Sequence, residues 1–483
     1  RLLFGRIEHR LVVEFCNFRH YTVTDKFINR DSVSSEQGFG VFFATEFYVI
    51  SDNNVIKNCF QIAEFDFNSC TIVFFNKLID FCFVSDVYVV DNASTDDSVE
   101  AVRMRFGQKV QLLCNCENLG GSGGFNTGLR KVQQMDYKYV LCLDNDAQVT
   151  PTAIGALRDF LEMHPEVGMA GSKVFHTQYP EYIQQMGLRI RFDCFSAETL
   201  YADRLDGEDI PKVVYCDTVA ACSVMLPMKV LREVGLMPED NFIYWDDMEW
   251  GYRVSKSGYK VAAVGDSKVY HEMGAHTRRE TTFAEYYHWR NSLNFFLTYT
   301  PEKQREAMSY VLLRSVFDRI YTCMSLGAHN MAKTVQYAFF DALMGVRGKA
   351  DEGKILVNDE NYDRLEQCAK GCTKVCVEDI CNIGLREQIK EWNPNVQFVK
   401  APEAEKIWRS CEYVMTSENW QENLVYVDSE KNSIIDAEDW EVVCNYNYSL
   451  TLFLYMHQDA FLSQSRKISD MQSKAEGDYK EKR

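Results

Sequence analysis

The chain has 483 residues, 46% hydrophobic and 25% charged, which allows full cores in roughly two to four domains. Its formal net charge of −18 excludes a non-specific nucleic-acid binder, because such a protein needs a basic face for phosphate. A nucleotide remains acceptable, since a metal can supply positive charge locally, and no apolar run approaches the ~18 residues of a membrane span.

Residues 1–70 are rich in Phe, Val, Tyr and Thr, with strand-like runs RLVVEF and FGVFFATEFYVI, and read as a small β-domain. TIVFF (71–75) reads as the first strand of a central sheet. Only 11 residues separate it from VYVVD, near the minimum for a parallel crossover with a helix. We read this as residues missing from the numbering between 75 and 87. The start at Arg1 rather than Met fits a trimmed sequence, and no signal peptide is visible.

From Val87 to about residue 275 the pattern is α/β. VYVVD is a strand, 96–106 a helix, VQLLC a strand, and Gly124 to Met135 the start of a helix. YKYVLCLD is a strand, PTAIGALRDFLEMHP a helix with Pro151 in an acceptable first-turn position, and VGMAGSKVF a strand. A polar stretch (193–211) precedes apolar VAACSVMLP, a helix from Lys229, the helix WDDMEWGYRVSKSGY and the strand KVAAV. Residues 282–345 read as two or three packed helices. Beyond 350, ADEGKILVND, KVCVEDI and VQFVK suggest short strands among helices, and KAEGDYKEKR a solvated tail. The 17 cysteines, an odd number without Cys-x-x-Cys pairs at zinc spacing, read as buried free thiols in a reducing cytoplasm.

Carboxylates lie just past two strand ends: Asp91 after VYVV, then Asp144 and Asp146 in LDNDA. In an open α/β sheet those ends face the crevice where nucleotides bind. Two aspartates one residue apart can grip a divalent cation while a diphosphate supplies further ligands. Between them runs ENLGGSGGFNTGL, with Gly120, Gly121, Gly123 and Gly124. It is neither a dinucleotide fingerprint, which would need glycine where Asn126 stands, nor a P-loop, since no Gly-Lys-Ser/Thr follows. It reads as a flexible segment with exposed N–H groups opening a helix whose N-terminus favours anions.

Asp246, Asp247 and Glu249 follow the aromatic run FIYW. Acidic residues in a first helical turn can simply answer the helix dipole. Three beside aromatics suggest a pocket, in which a carboxylate could deprotonate an attacking hydroxyl. His271, just past a strand-like run, is a candidate third metal ligand. Arg290 in YYHWRN is a candidate phosphate or carboxylate binder, or equally a core ion pair.

Together VVDNAST, NLGGSGGFNTG, LDNDA, FIYWDDMEWGYR and the trailing YH resemble the family 2 glycosyltransferases of GT-A fold, and within them the galactofuranosyltransferase-like branch. The resemblance covers about 71–345. It implies an α/β, Rossmann-like catalytic domain (71–280) behind an N-terminal β-sandwich (1–70), a helical region (281–348) and a mixed or mainly helical C-terminal region (349–483). It implies a UDP-sugar donor, contacted by Asp91, Asn118, the four glycines and Asn145, where the branch often has aspartate. Mn²⁺ or Mg²⁺ would be held by Asp144, Asp146 and His271. Asp247 would be the catalytic base of an inverting transfer, with Asp246, Glu249, Trp245 and Arg290 around the sugars.

The expected acceptor is a glycan or lipid-linked glycan, and the expected location the cytoplasm or the inner membrane face. The helical and C-terminal regions are candidates for self-association or membrane-surface docking. The alternatives are a dTDP-rhamnose-dependent transferase, a nucleotidyltransferase and a non-catalytic nucleotide-sugar-binding protein. A nucleotidyltransferase should carry a basic Gly-rich motif near its first strand, and none is visible.

Overall fold

The computed structural model describes residues 46–51, 84–271, 281–325, 327–359, 364–378, 384–410, 421–427 and 433–481. The runs RLVVEF and TIVFF, most of the expected N-terminal β-sandwich and the short crossover after residue 75 lie outside them.

A mixed sheet of eleven strands forms the centre. Its early strands are β1 (Glu46–Ser51), β2 (Val84–Asp91), β3 (Gln111–Cys114), β4 (Tyr139–Asp144), β5 (Ala147–Val149), β6 (Val167–His176) and β7 (Tyr182–Gln185). A separate hairpin, β8 (Leu188–Arg191) and β9 (Ser196–Thr199), follows. The sheet is completed by β10 (Arg204–Leu205), β11 (Val213–Cys216), β12 (Ser223–Pro227) and β13 (Lys260–His271). The order is β10-β7-β6-β12-β4-β1-β2-β3, while β13 pairs with β6, β11 and β5. Glu46–Ser51, which sequence reading puts in a separate β-domain, lies between β2 and β4, antiparallel to both. A short apolar run such as EFYVIS suits any buried strand, and nothing local in it names the sheet it joins.

Both faces of the sheet's middle are covered, so strands such as β4 and β6 are buried along almost their whole length. Val87 and Val89 pack with Val102 and Phe106 of α1 (Ser98–Phe106) and with Leu157, Phe160 and Leu161. Tyr88 and Val90 point the other way, towards Phe125, Leu129 and Val132 of α2 (Gly120–Val132). This alternation is the period of two of a strand, and each fully buried valine contributes about 1.5–3 kcal/mol. α3 (Ala153–Met163) covers the first face, and α4 (Met228–Val234) and α5 (Asp246–Lys256) contribute to the second.

Three helices follow, α6 (Thr282–Tyr299), α7 (Arg305–Ser325) and α8 (His329–Met344). Their Phe295, Phe296 and Val335 share one core with Ile190, Phe242, Trp245 and Met248. The C-terminal part holds α9 (Arg364–Lys370), β14 (Lys374–Val377), α10 (Leu385–Trp392), β15 (Gln397–Phe398), β16 (Lys406–Ser410), β17 (Leu424–Val427) and β18 (Ser433–Ile434). The strands form a five-stranded sheet, parallel except for its last pair. The helix α11 (Ala437–Glu481) returns along the bundle, with Phe461 in the helical core. The expected solvated tail is its last turns as far as Glu481. Among the described residues no helix is long and apolar enough to cross a membrane.

Candidate active site

The turn after β4 places three ligand-bearing residues together. Asp144 ends β4, Asn145 and Asp146 make the turn, and β5 then pairs antiparallel with the end of β13, setting His271 opposite Ala147. His271 Nε2 lies 3.4 Å from Asp146 Oδ1 and 3.7 Å from Asp144 Oδ2. On its other side the buried Gln184 makes two hydrogen bonds to the same residue. Its Nε2 donates to His271 O at 3.1 Å, and its Oε1 lies 2.9 Å from His271 Nδ1. A backbone carbonyl can only accept, so the amide's orientation is fixed and Nδ1 must be the donor. A neutral imidazole then turns its Nε2 lone pair towards two carboxylates. One lone pair and two carboxylates suit a divalent cation, so the residues present fit the Mn²⁺ or Mg²⁺ that the resemblance implies.

Electrostatics agrees with that fit. Burial first, then Asp146, push the Asp144 carboxyl up to about 7, with Asp247 adding and His271 opposing. A further group sequence reading missed is Cys222, just before β12. Its carbonyl accepts from Asp144 N at 3.2 Å, and its thiol shares a cluster with Asp144 and His271 in which the ligand atoms all lie within 4.8 Å of one another. Burial, then the carboxylates of Asp144, Asp146 and Asp247, hold this thiol well above its usual pKa.

The second acidic group begins α5, behind a strained loop. Phe242, Tyr244 and Trp245 have φ of 67°, 61° and 64°, left-handed conformations that cost a non-glycine residue about 1–2 kcal/mol each. The loop is held from α6. Asn291 Nδ2 donates to the carbonyls of Asn241, Ile243 and Tyr244 at 2.8–2.9 Å, and Arg290 Nη2 donates to Asn241 O at 3.1 Å. Strain held this firmly beside chemically active groups is typical of functional sites. It delivers Asp246, whose carboxyl is pushed up to about 8 by burial and then by Asp247. Asp247 is also raised by burial, although backbone N–H groups including those of Met248 and Ala221 oppose the shift. Thr218 Oγ1 donates to Asp247 O at 2.7 Å. This approach is possible because residue 251 is glycine, where a Cβ would sit 2.2 Å from that hydroxyl.

The Gly-rich run opens α2, and the residues Gly120, Gly121, Gly123 and Gly124 are buried. Gly120 has φ +75°, and a Cβ on it would lie 2.2 Å from Phe242 O. Gly120 thus lets the helix start against the strained loop. Asn118 Oδ1 accepts from Gly120 N at 2.8 Å and Asn92 Nδ2 at 3.3 Å. Asp91 is 4% exposed and accepts from Ser94 N.

Three more of the expected site residues are buried. Arg290 is fully buried, stacked on Tyr286 and Tyr287, and donates to Gly348 O, Asn241 O and Asn291 Oδ1, so it braces the loop rather than meeting a ligand. Trp245 is 6% exposed and packs on Phe295 and Phe296. The aromatic left open beside the acids is Tyr244, 41% exposed. Glu249 is buried too, accepting from Tyr299 Oη at 2.9 Å and Asn241 Nδ2 at 3.2 Å.

Residues 76–224 match the family model described as glycosyl transferase family 2. Over 205 residues the chain is 24% identical to the galactofuranosyltransferase GlfT2 of Mycolicibacterium smegmatis, covering 39% of this chain and 31% of that protein. It is 22% identical over 261 residues to the dTDP-rhamnosyl transferase RfbF of Shigella flexneri, covering 51% and 82%. The chain thus spans about a third of the length of the galactofuranosyltransferase it matches. Among solved structures, the mannosyltransferase PcManGT of Pyrobaculum calidifontis, in complex with GDP-Man and Mn²⁺, is 15% identical, covers 64% of this chain and 74% of that chain, and has a TM-score of 0.32.

Proposed function

We propose that this chain is a metal-dependent inverting glycosyltransferase, with a UDP-sugar as donor, UDP-galactofuranose the preferred candidate, and a hydroxyl of a growing cell-surface glycan as acceptor. The single observation that carries the reading is the meeting of Asp144, Asp146 and His271 in one corner, close enough to Asp247 for it to raise the Asp144 pKa. A cytoplasmic site at the inner membrane face suits a lipid-linked acceptor.

Asp144, Asp146 and His271 would hold Mn²⁺ or Mg²⁺. Bound there, the cation supplies a Lewis acid against the charge growing on a departing diphosphate. Asp247 takes the proton from the acceptor hydroxyl as that oxygen attacks the anomeric carbon from the opposite face. A carboxyl raised towards neutrality is a better base than an ordinary one, and backbone N–H groups fix its direction. Asp246 orders sugar hydroxyls, Tyr244 offers its exposed face to a sugar ring, and Asp91 meets the base or ribose.

The test is a donor panel with the full chain and Mn²⁺. UDP-galactofuranose should turn over with release of UDP, and neither metal-free protein nor Asp144→Asn should catalyse it. Turnover of dTDP-rhamnose alone would favour the rhamnosyl reading, which the similarity to RfbF supports. Release of pyrophosphate would overturn both in favour of nucleotidyl transfer, and binding without turnover would leave a nucleotide-sugar-binding protein.

A further inference from the structure

Asp144, Cys222 and His271 each offer one ligand atom in the corner, all within 4.8 Å of one another. We propose that these three residues form a site for a thiophilic divalent cation, zinc or cadmium in class. Such an ion takes the place of the productive cation and silences the crevice. The proposal rests on the reading that Asp144 and His271 bind a metal at all.

The donor set decides the class. Mn²⁺ and Mg²⁺ favour oxygen and have little use for sulfur, whereas Zn²⁺ favours a tetrahedron of nitrogen, sulfur and carboxylate. Cys222 packs among Ala147, Ala153, Val174 and Val269, whose small or branched side chains present no competing base. Its backbone is fixed by the Asp144 N–H, so the thiol faces the corner without rearrangement of the strand. As the metal–sulfur bond forms, the Sγ–H bond breaks and its proton leaves to solvent, with no change of oxidation state. Asp146 lies 3.4 Å from the same imidazole nitrogen but outside the mutually close trio. A cation held by Asp144, His271 and Cys222 occupies two of the ligands that the productive cation needs.

The experiment titrates Co²⁺, a spectroscopic stand-in for zinc, and then Zn²⁺ and Mn²⁺, into the metal-free full chain, by absorbance and calorimetry. We expect one equivalent of Co²⁺ to raise a thiolate-to-cobalt charge-transfer band. The band should vanish in Cys222→Ala and Cys222→Ser and persist in Cys372→Ala, a cysteine in the separate core around Val375 and Trp408. Zinc affinity should fall about tenfold or more in the Cys222 variants, while Mn²⁺ affinity stays near wild type. A band that survives Cys222→Ala, or zinc binding that ignores it while Mn²⁺ still binds, overturns the proposal alone. If wild type binds neither Mn²⁺ nor Zn²⁺, both the proposal and the reading beneath it fall. Retained Mn²⁺ affinity in both replacements shows that the corner is still folded.

Discussion

Gln184 is buried against His271, and its replacement by leucine should weaken the metal site. Two hydrogen bonds, of 2.9 and 3.1 Å, tie its amide to the ring and the carbonyl of His271. Leucine fills similar space and offers neither, leaving a buried ring N–H and a carbonyl to find other partners at about 1–3 kcal/mol each if they fail. More to the point, the ring is freed to turn or to move its proton to Nε2, which removes the lone pair directed at Asp144 and Asp146. Loss of such a support lowers metal affinity by about 10–100-fold, or roughly 1.4–2.8 kcal/mol. Calorimetry of Mn²⁺ against Gln184→Leu, with His271→Ala as the limiting case and thermal melts alongside, measures this. Gln184→Glu keeps the acceptor for Nδ1–H and should recover part of the affinity. Wild-type Mn²⁺ binding in Gln184→Leu, with binding lost in His271→Ala, would refute the clamp.

Three further outcomes follow from the same geometry. Asp247→Asn should slow turnover by about 10²–10⁴-fold while nucleoside diphosphate binding stays unchanged; equal loss of both would remove Asp247 from the role of base. Gly120→Ala, with its Cβ 2.2 Å from Phe242 O, should cost roughly 2–4 kcal/mol in a denaturant melt and lower donor affinity through the displaced loop, whereas an unchanged melt would contradict that close approach. Asp144 and Asp246, pushed up to about 7 and about 8, hold protons in the folded metal-free protein that the unfolded chain has already released. The native state therefore binds more protons between about pH 4 and 8, and its stability should fall as pH rises through that window. Asp246→Asn should flatten the fall, and stability that rises over the same range would contradict both shifts.

The acidic corner was legible because strand ends can be read from local pattern. VYVVD and YKYVLCLD announce buried strands, and a carboxylate after each must face the crevice. What was not legible lies in pairings across long separations. Nothing near Gln184 announces that it will hold residue 271, and Cys222 sits in an apolar run like any core cysteine. The burial of Trp245, Glu249 and Arg290 is equally hidden, because it is the helices from Thr282 onwards that fold over the loop. The glycines suggest flexibility, but nothing local to them shows that Gly120 comes within reach of Phe242, far along the chain.

The most direct test of the central claim is a crystal structure of the full chain with Mn²⁺ and UDP, with the cation located by anomalous scattering. The account predicts one Mn²⁺ bound directly by Asp144, Asp146 and His271 Nε2, with the diphosphate completing its shell. A cation bound elsewhere, with His271 turned away from the two carboxylates, would contradict it.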